Sequence, residues 1–516
     1  MSRKIALVAK TLVLFFLLLM IILPSSFTVD WPVFDSRLTT HGKVDWTPSI
    51  TSTTDGEIWV VWRSDRTGND ELFYKVFNGS SWTEDIQLTN DTYCDDYPSI
   101  TQTSDGKIWV VWTSNRVNLQ GDLFYKVFNG SSWTEDIQLT NNTYTDADPS
   151  ITQISDDKIW VVWTSNRVDL QWDLFYRVFN GSSWSSDARI TNDTDSDDWY
   201  PSVMQSTGGL IWIAFSKFSS THTFEDIYYK QYNGTTWGPD VRFTFNDEAY
   251  DRHPSIMQAK NGPIWVVWDS FRNDHDDDIY YKVFNGQTWS PETRLTAHLS
   301  DDLWPSITQA ADNTIWVAWG SIRLNNFDIY YTIGEVHDVA ITEVTTSTTI
   351  AVRGENVSIE VTAQNQGSTT ENFEVQCYVN STLVGSKTIS VSAGQTLTLS
   401  PFHWNTSGAP RGTYIISATV AAVLGEIYLI DNSKSAEIPV EVRIKGDVCG
   451  MYNGVVKPIP NGVVDLDDLM TVAMPGHIWT EYPTWDPVWG PACDVNKDGR
   501  VGMDDVMEVG LHLADT

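Results

Sequence analysis

Short apolar and alternating segments recur along most of the chain and predict a long series of β-strands. Each of six copies of one unit begins with Pro-Ser-Ile or Pro-Ser-Val, at Pro48, Pro98, Pro149, Pro201, Pro254 and Pro305. In the second copy the strand candidates are PSITQ, KIWVVW, DLFYKVF and EDIQLT. Asp-Gly and Asn-Gly turns, which tolerate positive φ, separate several of them. Four strands repeated six times are typical of a β-propeller.

The tryptophans of the repeats indicate how these sheets bury their faces. One recurs in every second strand, as Trp59, Trp109, Trp160, Trp212, Trp265 and Trp316. Another follows the hairpin in five copies, as Trp82, Trp133, Trp184, Trp237 and Trp289. The sixth copy ends after Asp328-Ile-Tyr-Tyr, and Ser36-Arg-Leu-Thr39 near the start is a spare fourth strand. We therefore predict a six-bladed propeller over residues 30–335, closed by that strand, in a mainly β protein.

Three polar positions recur in the repeats. An aspartate precedes each Pro-Ser by three residues, as Asp45, Asp95, Asp146, Asp198, Asp251 and Asp302. The second strand ends in Ser-x-Arg in five copies, whereas copy four has Phe218 instead, and the third strand opens with an acid. In one interpretation the arginines bridge neighbouring acids and lock blade to blade. In the other, the aspartates ring the channel mouth and bind a cation or a polar ligand, because unpaired carboxylates would repel one another.

Positions that vary between copies are better ligand candidates. Just before the prolines lie Trp46, Tyr97, Trp199, Tyr200, His253 and Trp304. These side chains could stack on sugar rings at the propeller mouth, or they could pack against the next blade. Through S-x-D-G-x-I-W, S-x-R and D-(I/L)-(F/Y)-Y, the units resemble the bacterial-neuraminidase-repeat and TolB-like propeller families. That resemblance implies the fold and no particular function.

Residues 338–443 leave the repeat and show alternating segments separated by turns, which predict a β-sandwich. Examples are Val357-Ser-Ile-Glu-Val-Thr-Ala and Phe373-Glu-Val-Gln-Cys-Tyr-Val. The segment order, and above all Ala363-Gln-Asn-Gln-Gly, resembles the CARDB family of immunoglobulin-like modules. The resemblance implies a spacer or adhesion role without catalytic residues.

The C-terminal region carries the most specific chemical motif, an EF-type calcium loop from Asp494 to Asp505. Asp494, Asn496 and Asp498 occupy loop positions 1, 3 and 5, and Arg500 offers its backbone carbonyl at position 7. Asp505 closes the loop at position 12, and a glycine at position 6 permits the sharp turn. Oxygen ligands in this spacing predict a Ca²⁺ site.

A degenerate second loop lies upstream. Its candidate ligands are Asp447, Asn461, Asp465 and Asp468, with Cys449 at position 3. Each loop runs into a helix-like stretch, and residues 445–516 resemble the dockerin family. The resemblance implies a small α-helical calcium module and a cohesin-like protein partner. Because Cys449 replaces the usual Asp or Asn, this loop is weaker, and a Cys449–Cys493 disulfide could clamp the two loops instead.

The net charge limits the partners that the protein can bind, and the N-terminal segment indicates its cellular location. The chain has 33 basic and 67 acidic residues, a net charge of −34, which argues against nucleic-acid binding. Basic residues Arg3, Lys4 and Lys10 precede an apolar run over residues 12–23. This layout predicts a signal peptide over residues 1–27, or an uncleaved anchor as the one membrane contact, and an extracellular or cell-surface protein.

Two functions remain open from the sequence. The first is an exported binding or adhesion protein whose propeller presents a ligand face, with carbohydrate as one candidate ligand, and has no catalytic residues. The alternative is a glycosyl hydrolase or polysaccharide lyase of polysaccharide catabolism, recruited through its dockerin-like module. A sialidase-type site needs clustered arginines, whereas the repeat arginines occur one per blade.

Overall fold

The computed structural model describes residues 29–443, except 118–119, 156, 220–222, 246–247, 261, 274–275 and 324–325, and the short segments 450–452, 455–457, 480–481 and 500–501. These residues are almost entirely β, which confirms the mainly β prediction, and their one helical turn is the 3-10 helix Thr406–Gly408. Among these residues we find no helical segment with the length and hydrophobicity of a transmembrane span. They form two compact units, one ending at Asp338 with residues 366–370 and 423–430 added, the other holding the remainder.

Six four-stranded antiparallel sheets build the first unit. Their innermost strands are β2 (Asp45–Ser52), β6 (Asp95–Gln102), β10 (Asp146–Gln153), β14 (Ser196–Gln205), β18 (Asp251–Gln258) and β22 (Asp302–Gln309). The second strands are β3 (Ile58–Ser64), β7 (Ile108–Val117), β11 (Ile159–Val168), β15 (Ile211–Ser219), β19 (Ile264–Asn273) and β23 (Ile315–Ser321).

The outer half of each sheet is shorter. The third strands are β4 (Glu71–Phe77), β8 (Gln120–Phe128), β12 (Gln171–Phe179), β16 (Asp226–Tyr232), β20 (Asp276–Phe284) and β24 (Asp328–Gly334). The fourth are β5 (Ile86–Gln87), β9 (Ile137–Gln138), β13 (Ala188–Arg189), β17 (Val241–Arg242), β21 (Thr293–Arg294) and, in the sixth sheet, β1 (Ser36–Arg37). Ser36 pairs with Tyr331 and Arg37 with Tyr330, so the N-terminal strand closes the ring as predicted.

Large apolar side chains fill the spaces between neighbouring sheets. The last aromatic of the I-W-V-V-W segment is fully buried in every blade, as Trp62, Trp112, Trp163, Phe215, Trp268 and Trp319. The two predicted tryptophan series meet between blades: Trp59 lies edge-on to Trp133 of the next blade, with ring centroids 6.3 Å apart. In the sixth blade the N-terminal segment supplies the missing ring, because Trp31 lies edge-on to Trp265 at 6.4 Å. Side-by-side packing therefore buries both faces of each sheet.

The second unit contains a β-sandwich. One sheet contains β25 (Val339–Thr346), β27 (Asn356–Asn365), β30 (Thr396–Thr398) and β31 (Phe402–Asn405), and another contains β28 (Glu371–Val379), β29 (Thr382–Val391), β33 (Ile416–Val420) and β34 (Ser433–Ser435). A third sheet joins β26 (Ile350–Val352), β32 (Gly412–Tyr414) and β35 (Val440–Arg443). Alternate residues of β27 and β28, such as Ile359, Val361, Val375 and Cys377, are fully buried, as one-sided strands require.

Two short ladders are described nearer the C-terminus. β36 (Gly450–Tyr452) pairs with β37 (Val455–Lys457), and β38 (Thr480–Glu481) pairs with β39 (Arg500–Val501). Arg500 of the predicted calcium loop thus lies opposite Glu481. The other predicted ligands and both cysteines lie outside the described residues: Asp447, Asn461, Asp465, Asp468, Asp494, Asn496, Asp498, Asp505, Cys449 and Cys493.

Candidate ligand-binding site at the propeller axis

A β-bulge interrupts every innermost strand next to its proline. In the first blade the register shifts between Trp46 and Ser49, and the other blades shift at the equivalent place. The residue before each proline has φ between 48° and 54°, a left-handed conformation that L-residues rarely adopt. These residues are Thr47, Tyr97, Asp148, Tyr200, His253 and Trp304. Because a bulge re-aims its side chain, all six reach one place in the ring.

That place is a cavity of about 130 Å³, called the axial cavity below. Its walls are six tripeptides, each made of a left-handed residue, the proline and the serine that follows it. The backbone repeats six times, whereas the left-handed residues differ in chemistry from blade to blade. The site therefore has the asymmetry that selective recognition of a small ligand requires.

The serines of the repeated Pro-Ser also hold neighbouring blades together. In each case the serine hydroxyl accepts a hydrogen bond from the backbone N–H of the next blade's Ile or Val, at 3.0–3.3 Å. Ser150, for example, accepts from Val203 N–H at 3.0 Å, and Ser99 accepts from Ile151 N–H at 3.1 Å. This ring of contacts fixes the walls of the axial cavity.

Four aromatic rings contact one another in an arc around the axial cavity. The ring centroids of Tyr97 and Tyr200 lie 6.1 Å apart, those of Tyr200 and His253 lie 4.2 Å apart, and those of His253 and Trp304 lie 5.6 Å apart. Trp46 packs edge-on behind Trp304 at 5.6 Å. Such contacts hold the rings in place, in a wall that presents polar and apolar surface in similar amounts.

Asp148 carries the one carboxylate among the residues that line the axial cavity. Its backbone N–H donates to Thr113 Oγ1 at 3.2 Å, whereas within the described chain its carboxylate has neither a hydrogen bond nor an ion pair. Burial, with a smaller contribution from the charge of Asp96, raises the pKa of Asp148 to about 8. The Asp148 side chain is half-buried in the cavity wall, and its carboxyl group is open to whatever occupies the cavity.

Asp96, directly behind the cavity wall, is satisfied by protein groups. It accepts hydrogen bonds from Arg63 Nη1 at 2.7 Å and from Thr47 Oγ1 at 3.1 Å. Arg63 also pairs with Asp70 at 2.6 Å. Burial outweighs the attraction of Arg63 and raises the pKa of Asp96 to about 6.

The position of His253 is fixed by a buried acid from its own blade. His253 Nδ1 lies 2.7 Å from Asp269 Oδ1, and the same oxygen accepts the Trp304 backbone N–H at 3.0 Å. Arg252 lies 3.9 Å from Asp269 and 3.4 Å from Asp277. Through its contacts with the His253 ring and the Trp304 backbone, Asp269 orients two neighbouring cavity residues at once. Arg252 also opposes the rise that burial causes in the pKa of a further acid, Glu225.

The six repeated aspartates do not line the axial cavity. All six are buried, and Asp45, Asp95, Asp146, Asp251 and Asp302 pair with the arginine of their own blade at 2.5–3.1 Å. The same arginines reach a second acid beside the fourth strand: Asp85, Asp136, Asp187, Glu292 and Asp35. The arginines thus mainly tie strands within one blade, although Arg116 also reaches Asp91, in the connection from the preceding blade, at 2.8 Å. The contact that recurs between all neighbouring blades is the set of six serine hydrogen bonds described above, called the serine ring below.

The fourth blade corrects the sequence alignment. Its strand pairing places Lys217 opposite Asp198, where the other blades have the serine of Ser-x-Arg, so the arginine position is occupied by Ser219 and not by Phe218. Lys217 Nζ reaches Asp240 at 2.7 Å and Asp198 at 3.6 Å. A lysine displaced by two residues therefore replaces the arginine.

Only some of the predicted aromatic ligand candidates line the cavity, because the bulge directs one position of each innermost strand toward it. Tyr97, Tyr200, His253 and Trp304 line the axial cavity, whereas Trp46 and Trp199, one residue earlier in their repeats, do not. Thr47 and Asp148 line it and were missed because they are not aromatic. Selecting the residue directly before each repeat proline, whatever its type, would have identified both from the sequence. The described residues contain no group of three or more side chains suited to a metal ion.

Comparisons with known proteins support the fold. The CARDB family matches residues 337–422, which confirms that resemblance for the sandwich. No curated protein matches the sequence.

Solved structures resemble the propeller. A protein of unknown function from Dyadobacter fermentans is 13% identical, with a TM-score of 0.51 over 60% of this chain and 99% of its own. An α-L-arabinanase of Penicillium chrysogenum complexed with arabinobiose is 12% identical, with a TM-score of 0.47 over 59% and 98%. A Hadza microbial sialidase is 12% identical, with a TM-score of 0.43 over 56% and 65%. At such identities the likeness concerns the fold alone.

Proposed function

We propose that this chain is an exported binding protein whose axial cavity holds one end of a polyhydroxylated ligand such as a carbohydrate. The observation that carries the proposal is the composition of the cavity wall: aromatic rings line it together with the unpartnered carboxylate of Asp148. Aromatic faces cover the C–H surfaces of a sugar, and a carboxylate accepts hydrogen bonds from its hydroxyl groups. Six rigid, mutually bonded blades hold these groups in place without a ligand.

Binding is favoured over hydrolysis by the number of available carboxyl groups. Glycoside hydrolysis normally uses two carboxyl groups that flank the scissile bond. Asp148 is the one acid among the cavity-lining residues, and Asp96 is occupied by Arg63 and Thr47. A single free acid suits recognition better than this reaction.

The test is a glycan array and ligand-observed NMR with the full chain, its Tyr200→Ala variant and a matched Tyr144→Ala variant. Tyr200 lines the axial cavity, whereas Tyr144 is an exposed loop residue outside it. We expect glycan signals that persist in Tyr144→Ala and weaken about tenfold or more in Tyr200→Ala, because one wall of the site is lost. No glycan signal, or equal signals in both variants, would contradict the proposal.

Hydrolysis is the second candidate, and Asp148 is the observation in its favour. A carboxyl group with a pKa of about 8 is protonated at neutral pH, as a general acid must be. Purified protein is therefore incubated with chromogenic glycosides and polysaccharides. Turnover that disappears in Asp148→Asn but persists in the exposed-site variant Glu135→Gln would replace the binding proposal with an enzymatic one.

We further propose that residues 445–516 bind Ca²⁺ and dock to a cohesin-like module. The support is the spacing of Asp494, Asn496, Asp498 and Asp505, which matches an EF-type loop. Calorimetry should show Ca²⁺ binding that is lost in Asp494→Ala and retained in Asp486→Ala, which lies before the loop. Unchanged binding in Asp494→Ala would refute the ligand assignment. Non-reducing peptide mapping tests the Cys449–Cys493 disulfide.

Export is proposed from the basic and apolar N-terminal segment, with the CARDB sandwich as a spacer. Expression with residues 1–27 present should deliver the chain outside the cytoplasm or leave it anchored at the cell surface. N-terminal sequencing of the exported protein distinguishes a cleaved signal from an anchor. Retention in the cytoplasm would contradict the proposal.

A further inference from the structure

The charge of Asp148 has no protein counterpart in the axial cavity. In the described chain no cation pairs with its carboxylate, and the charge that adds to its raised pKa is that of another acid, Asp96. A half-buried carboxylate without a partner is unfavourable, so either a proton or a ligand cation must offset its charge. Without such a cation the Asp148 carboxyl group keeps its proton at neutral pH, because its pKa is raised to about 8.

The basic side chains around the cavity already have partners. Arg63 pairs with Asp70 and Asp96. Arg252 lies beside Asp269 and Asp277, and His253 is held by Asp269. Carboxylates therefore outnumber cations here, and the whole chain carries a net charge of −34. This surplus attracts positively charged ligands to the cavity.

The aromatic wall suits the same kind of ligand. The negative faces of aromatic rings attract an ammonium group within about 6 Å, most strongly where water is excluded. Tyr97 and Tyr200 line the same cavity as Asp148, and burial, with the charge of that carboxylate, raises the pKa of both phenols. His253 and Trp304 continue the arc. An arc of aromatic rings with one carboxylate is an arrangement that binds an organic cation.

We propose that the ligand group bound in the axial cavity carries a positively charged nitrogen, as in an amino sugar or another ammonium compound, with Asp148 as its counter-ion. The inference rests on the proposed binding function and names the ligand class. In this arrangement the Asp148 carboxylate pairs with the charged nitrogen of the ligand, and the aromatic rings contact the C–H groups around that nitrogen.

The experiment uses two matched pairs of probes at pH 7 with the full chain: D-glucosamine with D-glucose, and choline with its neutral carbon isostere 3,3-dimethyl-1-butanol. Dissociation constants come from NMR titration. We expect each cationic probe to bind about tenfold or more tightly than its neutral partner. Asp148→Asn should remove this preference, Asp148→Glu should retain it, and Glu135→Gln, at an exposed acid, should leave it unchanged. Melting curves of the variants check that they are folded.

The pH dependence of choline binding adds a second readout, because choline keeps its charge at every pH. Binding requires ionised Asp148, so affinity should rise about tenfold per pH unit between pH 6 and 8 and level off above. This dependence should vanish in Asp148→Asn.

The outcomes separate the two proposals. Equal affinities for D-glucosamine and D-glucose would overturn the cationic ligand and leave carbohydrate binding standing. Asp148-dependent choline binding without sugar binding would support the cationic ligand and overturn the carbohydrate class. No binding of any probe would overturn both.

Discussion

Arg323 Nη1 lies 2.6 Å from Asp35 Oδ2, so the last repeat is joined to a residue near the start of the chain. In four other blades the equivalent arginine reaches an acid beside the blade's own fourth strand. The N-terminal segment thus replaces every missing part of the sixth blade: the acid as Asp35, the inter-blade ring as Trp31 and the strand as Ser36–Arg37. Ring closure depends on this segment.

Weakening the closure should destabilise the whole propeller. Leu38 is 4% exposed and packs in a cluster with Ile50 and Ile329. Leu38→Ala should lower the free energy of unfolding by about 2–5 kcal/mol, because it removes buried contacts and leaves a cavity. Urea unfolding followed by tryptophan fluorescence measures the change. Val33→Ala, at an 89% exposed side chain, should change it by about 0.5 kcal/mol or less, and equal effects of the two substitutions would contradict the closing role.

Asp198 should make the stability of the fourth blade depend on pH. Burial raises its pKa to about 7 despite the attraction of Lys217, so the folded state disfavours the ionised form. Its contribution to stability is therefore greatest below pH 4 and falls as pH rises from about 4 to 7. Relative to wild type, Asp198→Asn should become more stable between pH 4.5 and 8, as measured by urea midpoints at each pH. A constant difference would refute the assignment; Glu84→Gln, at an exposed acid, is the control.

The serine ring should contribute to blade cohesion. Ser150→Ala leaves the Val203 N–H without its acceptor, which should lower the free energy of unfolding by about 1–3 kcal/mol. Hydrogen exchange of the Val203 amide should also accelerate. Ser182→Ala removes a comparable hydroxyl from an exposed hairpin, where its contact with Asn180 is local, and should have little effect. If both variants unfold like wild type, the ring does not hold the blades together.

Cys377 should be inert in the native sandwich. The side chain is fully buried, and burial raises the pKa of its thiol to about 11. Iodoacetamide at pH 8 should therefore modify Cys377 about 100-fold or more slowly in native protein than in urea, because the reactive thiolate is scarce and shielded. Mass spectrometry of quenched time points measures both rates. Similar rates in the two states would show that the sandwich opens rapidly.

Sequence periodicity was sufficient to predict the blades, their order and the closing strand, because each repeat carries its own apolar pattern and turns. It also indicated that arginines meet acids, although the partners lie mainly within one blade. The local sequence pattern did not identify all the cavity-lining residues, because a shift of one residue along a strand turns the side chain to another side. Trp46 and Trp199 lie one residue before the position that lines the cavity. For the same reason Phe218 was aligned with the arginine position, which belongs to Ser219.

The sequence by itself determined the mainly β architecture, the six repeats and the CARDB sandwich, since these follow from apolar periodicity and turn residues that act locally. Only the tertiary structure decided that Asp148 faces the axial cavity unpartnered while the six repeated aspartates are buried against cations. Both outcomes depend on which groups from distant blades meet around the axis. That meeting is set by the bulges and by ring closure, which bring together side chains far apart along the chain.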